Sequence, residues 1–138
     1  VALGLARNGI ASAAIDVSDG LLADLGHIAE RSACAASVKL VQLPHLRDLA
    51  GSGDSYDADL RRFALDCQLA GGDDYELCFT APGTQSLAIA QIAARLELPL
   101  WNIGEMTAGP AGNVTVLDPD GKPVEIARKG YDHFGNQA

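Results

Sequence analysis

Leu21, Leu22, Leu25, Ile28 and Ala29 recur at helical spacing and predict a helix from about residue 21 to Ser32. A second helix is predicted over 57–70, with a stripe of Leu60, Phe63, Ala64 and Cys67 and a stop at Gly71-Gly72. A third opens after Pro82-Gly-Thr84, with Thr84 as its N-cap and Ile89, Ile92, Ala93 and Leu96 along one side. Between these helices lie short apolar or alternating runs. Residues 11–16 predict a buried strand, and 37–43 alternate around Val38 and Leu40 until Pro44 ends them. Tyr75, Leu77 and Phe79 alternate with Glu76, Cys78 and Thr80, a strand with two different faces. Residues 101–106 predict another strand, and 113–117 with 123–127 a hairpin around Asp118-Pro-Asp-Gly121.

Helices and strands are interspersed, but the last strands follow one another without a helix. The expected fold is therefore α+β, a mixed β-sheet packed with helices, in one domain over 1–138. The chain opens on what reads as the end of a helix, with Leu3 apolar, Arg7 a suitable C-terminal cation and Gly9 in the left-handed closing position. Val1 is not an initiator methionine, so further residues are expected upstream.

Composition narrows the function. Ten Lys+Arg against 18 Asp+Glu give a net charge of −8, which disfavours a nucleic-acid partner. No apolar run approaches the roughly 20 residues that cross a bilayer, so no membrane partner is expected. Cys34, Cys67 and Cys78 form neither a metal pair nor a disulfide set, and read as reduced, mostly buried thiols of a cytoplasmic protein.

Three segments could carry chemistry. Asp16-Val-Ser-Asp-Gly20 sits where a strand turns into a helix, whose N-terminus favours anions. Two readings stand for it. Ser18 or Asp19 caps the helix, the ordinary use of such residues. Alternatively Asp16 and Asp19, whose mutual repulsion at about 4 Å would cost roughly 4 kcal/mol at an effective dielectric near 20, share a hard cation. The cation would also reconcile an acidic protein with phosphate, and Gly20 would let backbone approach the ligand. Gly71-Gly-Asp-Asp-Tyr-Glu-Leu77 reads alone as a turn with solvated acids. Lys129-Gly-Tyr-Asp-His-Phe134 is either a tail packing Tyr131 and Phe134 on the core or an aromatic platform for a flat heterocycle. His27 and His45 stand alone and are assigned structural or surface roles.

In this order the three motifs, with Asp24-Leu-Gly-His-Ile28 in the helix after the first, resemble the thiamine-monophosphate kinase family. That family belongs to the aminoimidazole ribonucleotide synthetase superfamily, and the resemblance implies the carboxy-terminal α+β domain of such an enzyme. An amino-terminal ATP-binding domain would then lie outside this chain, and the full-length protein would form a homodimer. The implied reaction moves the γ-phosphoryl group of ATP onto thiamine monophosphate. The resemblance carries magnesium binding onto Asp16 and Asp19, ATP contact onto Ser18, and substrate contact onto Asp73 and Tyr131. Asp73 departs from the usual Glu: the charge is kept and the reach shortened by a methylene, which weakens the contact or routes it through water. The alternatives are another ATP-dependent enzyme of the superfamily, such as an aminoimidazole ribonucleotide or selenophosphate synthetase, or a noncatalytic acidic cation-binding module.

Overall fold

The apolar stripe of the first helix decides where everything else packs. In the computed structural model, which describes residues 5, 9–44, 58–71 and 76–126 (side chains of the second helix from 64 onward), that helix is α1, Leu21–Arg31. Leu22, Leu25, Ile28 and Ala29 are buried along it. Burying the three large ones contributes roughly 5–9 kcal/mol before entropy is counted. α1 packs against strands β1 (Ala13–Val17), β2 (Ala35–Lys39) and β5 (Val114–Leu117), and against α2 (Ala58–Ala70). Val17, Val38, Leu69, Cys78 and Val116 complete this core.

The strands form two sheets. β1 pairs antiparallel with β3 (Glu76–Thr80), with Asp16 opposite Leu77 and Ile15 opposite Cys78. The other sheet has the order β4-β2-β5-β6, where β4 is Gly104–Thr107 and β6 Pro123–Val124. β2 runs antiparallel to β4 and parallel to β5, so this sheet is mixed, as the element order implied. Helix α3 (Ser86–Leu96) makes a smaller core from Ile92, Ile10 and Leu5, with Phe79 packed against it. The alternation along β3 thus serves two cores, Cys78 on one and Phe79 on the other.

Several local expectations hold. Gly9 has φ 60, and the Ile10 N–H donates to the Leu5 carbonyl at 3.0 Å, the spacing of the bond that accompanies a left-handed closing glycine; residues 1–4 and 6–8 lie outside the described residues. Asp118 organises its turn by accepting from the N–H groups of Asp120 and Lys122.

Others are corrected. β1 is not buried on both faces, because Ala14 and Asp16 are exposed. The strand expected over 37–43 is Ala35–Lys39, followed by a 3₁₀ turn, Leu40–Gln42, that leaves Val41 55% exposed. An interior strand buried at four consecutive residues, Ala35 to Val38, has no alternation to read. Trp101 lies outside β4 and is 49% exposed. β6 is shorter than the 123–127 read from the sequence. Within α2 it is Leu69 that is fully buried, while Cys67 is exposed. Thr84 does not cap α3: it lies in a 3₁₀ turn, Gly83–Gln85, and the Ser86 hydroxyl donates to the Gly83 carbonyl instead. Only Cys78 of the three thiols is buried.

Candidate functional site

The turn between β1 and α1 is built from three constraints. β1 ends at Val17, whose buried side chain fixes the strand end. Gly20 is the N-cap residue of α1 and is itself buried, at φ 111 and ψ 149. A Cβ there would sit 2.9 Å from the Ala70 carbonyl carbon, so the glycine serves close packing of α1 on the end of α2. The close approach expected of Gly20 toward a ligand is seen here toward the backbone of Ala70.

The third constraint is Asp24. The residue is 2% exposed, and its Oδ2 accepts from the Ser18 N–H at 2.9 Å and the Asp19 N–H at 3.0 Å. This replaces the expected cap. Neither Ser18 nor Asp19 is the N-cap residue, and no cap-residue side chain bonds the helix end. An acid from the first turn of α1 reaches backward instead and holds the preceding loop.

The motif's residues differ in exposure. Asp16 and Ser18 are exposed, and Asp19 is half-buried. Asp19, Asp24 and His27 each place one potential ligand atom within 4.8 Å of the others. Asp16 stands outside that set of three. His27, read from the sequence as solitary, thus has acidic neighbours; the signal was its three-residue spacing from Asp24, which puts both on one side of α1. Oxygen donors dominate the turn, which suits a hard cation better than a soft one. Beside it, a cavity of about 750 Å³ runs between α1 and the β5–β6 hairpin, lined by Gly26, His27, Asn113, Thr115 and Glu125 among others. Asp73 and Tyr131 lie outside the described residues.

Cys78 faces the same core from β3. Burial first, and the Asp24 carboxylate second, push its thiol up to about 11 from an ordinary 9.0. A raised folded-state value means that this protonated thiol supports folding fully below pH 9. That support is lost as the pH climbs from 9 through 11, where only the unfolded chain has released its proton. We expect stability to fall by about 2–3 kcal/mol across that window from this group, read as urea midpoints at successive pH. At pH 8, a thiol reagent should modify exposed Cys67 well before Cys78. Equal labelling rates in the folded protein would contradict the packing.

No helix among the described residues is long and apolar enough to cross a membrane. No family model matches the chain. Individual proteins do. The chain is 44% identical to the thiamine-monophosphate kinase of Salmonella typhimurium over 131 residues, 95% of this chain and 38% of that protein. The crystal structure of thiamine-monophosphate kinase from Stenotrophomonas maltophilia superimposes with a TM-score of 0.71 at 48% identity, covering 90% of this chain and 36% of that one. AaThiL complexed with AMPPCP and TMP gives a TM-score of 0.58 at 30% identity, over 91% of this chain and 34% of that one. The chain thus spans under two-fifths of the length of the relatives it matches. Sequence and fold thus agree over nearly all of its residues: the chain is similar to one part, under two-fifths, of thiamine-monophosphate kinases.

Proposed function

We propose that this chain is the carboxy-terminal domain of an ATP- and magnesium-dependent thiamine-monophosphate kinase. The reaction breaks the bond between the β–γ bridging oxygen and the γ-phosphorus of ATP. It forms one from a phosphate oxygen of thiamine monophosphate to that phosphorus, giving thiamine diphosphate and ADP. The observation that carries the reading is the 44% identity to a thiamine-monophosphate kinase across 95% of the chain. The geometry of the turn supports it: Asp16, Ser18 and Asp19 lie together at a strand-to-helix junction, and the Asp24 carboxylate holds the backbone of the last two.

The phosphate acceptor is already ionised near neutrality, so a strong base is dispensable. What the reaction needs is alignment and charge compensation. Asp16 and Asp19 would hold magnesium, which when bound neutralises phosphate charge on a protein whose own net charge is −8. Ser18 contributes a hydroxyl to ATP. Asp73 is assigned to the cationic substrate and Tyr131 to stacking on its ring. The shorter reach of Asp73 fits a water-bridged contact. An amino-terminal domain supplies the rest of the nucleotide pocket, the whole enzyme is a homodimer, and it works in the cytoplasm.

Division of the site between domains has a direct consequence. Residues 1–138 alone should give no measurable ADP release with ATP, magnesium and thiamine monophosphate, whereas a protein of full family length carrying this chain should turn over. Turnover by residues 1–138 would refute the division. A full-length protein that binds magnesium calorimetrically, yet phosphorylates nothing in a panel containing thiamine monophosphate, would refute the kinase.

A further inference from the structure

Asp24 is a carboxylate that the proposed mechanism leaves unused, and its placement costs the protein something. Removing a carboxylate from water is unfavourable unless hydrogen bonds replace the lost hydration. Asp24 sits 2% exposed in the first turn of α1, where exposed acids ordinarily suffice to interact with the helix dipole. Its position instead matches two donors, the N–H groups of Ser18 and Asp19, both on Oδ2 at 2.9 and 3.0 Å. Such charge-assisted bonds are roughly twice as strong as neutral ones. They fix the backbone of the two residues whose side chains the mechanism assigns to ATP and magnesium.

A second effect is electrostatic. The Asp24 and Asp19 carboxylates lie within 4.8 Å of each other. A buried negative charge behind Asp19 makes the turn more attractive to a cation on its open side. Burial keeps Asp24 from reaching a substrate itself, so it acts through its neighbours.

We infer that Asp24 is the positioning residue of the phosphate-handling turn: from beneath, it sets the backbone of Ser18 and Asp19 and thereby tunes cation affinity. The inference rests on the kinase reading for its functional half and on this chain alone for its structural half. The two halves are measured separately.

Amide hydrogen exchange on residues 1–138 reads the bonds directly. In Asp24→Ala the Ser18 and Asp19 amides should exchange at least tenfold faster, while amides of the β2–β5 pairing keep their protection. Asp24→Asn, which retains an acceptor oxygen of the same shape, should restore much of that protection. In a full-length kinase carrying this chain, Asp24→Ala should raise the magnesium concentration for half-maximal rate at least tenfold, and leave the KM for thiamine monophosphate within twofold. Asp24→Asn should fall between Ala and the parent. Should Asp24→Ala fail to fold, Asp24→Asn alone decides, with a rise of threefold or more in the magnesium requirement expected.

Unchanged exchange at Ser18 and Asp19 in both variants would overturn the bonding. Faster exchange with an unaltered magnesium requirement would overturn the positioning role and leave the kinase reading intact. Asp16→Asn run in the same assay isolates the other failure, because full activity in that variant sinks the kinase reading and the functional half of this inference with it.

Discussion

Replacing Asp16 by Asn in a full-length kinase carrying this chain is expected to lower kcat by about a thousandfold, and to leave folding nearly untouched. The first half follows from charge. A carboxylate that holds a cation against phosphate contributes several kcal/mol to transition-state stabilisation, and each 1.36 kcal/mol is a factor of ten in rate. Asn keeps an oxygen in the same place but removes the charge that makes the oxygen a ligand for a hard cation. The second half follows from placement. Asp16 is exposed on β1, opposite Leu77, which is exposed too, so its side chain supports no buried contact. Substitutions at such positions usually change stability by less than about 0.5 kcal/mol. A rate within tenfold of the parent would remove Asp16 from the cation site, and an unfolded variant would show that β1 depends on the carboxylate in a way its exposure does not suggest.

Legibility in the sequence followed the range of the interaction responsible. α1 was readable because five apolar positions on one face declare a helix without reference to anything distant. The Gly9 closure and the Asp118 turn were readable for the same reason, since their hydrogen bonds span only a few residues. β2 was placed two residues late at its start and four at its end, because Ala35, Ala36 and Ser37 carry little strand propensity and are covered on both faces, so their state is set by β4 and β5 rather than by themselves. Spacing and order singled out Asp16 and Asp19 in the turn, and the structure groups Asp19 with Asp24 and His27. What held the turn could not be found: an acid in the first turn of a helix is too common to be remarked on, and nothing local says that Asp24 points inward. The partner of Gly20 was hidden likewise, because Ala70 is fifty residues away in the chain.

That distant contact makes Gly20→Ala a strongly disruptive change, because strain and a backbone clash act at one residue. Gly20 adopts φ 111 and ψ 149, a region that essentially only glycine occupies, and forcing a side chain into it costs about 1–3 kcal/mol. The new methyl would also lie 2.9–3.0 Å from the carbonyl carbon, Cα and carbonyl oxygen of Ala70. Those are backbone atoms, which cannot rotate away, so either α1 or the end of α2 must shift, at a further cost of about 1–3 kcal/mol. The total of roughly 2–6 kcal/mol is a large share of the 5–15 kcal/mol typical of a folded domain. Gly9→Ala separates the two contributions. Gly9 also has positive φ, at 60, but a Cβ there meets nothing within 4 Å, so only the left-handed strain of about 1–2 kcal/mol should appear. Urea titration of both variants should therefore place Gly20→Ala well below Gly9→Ala. The shift should also reach function, since Gly20 joins the turn to α1 and any movement of the helix end carries Asp24 away from the amides of Ser18 and Asp19. Equal losses in the two variants would mean that α1 and α2 approach less closely than the backbone contact at Ala70 requires.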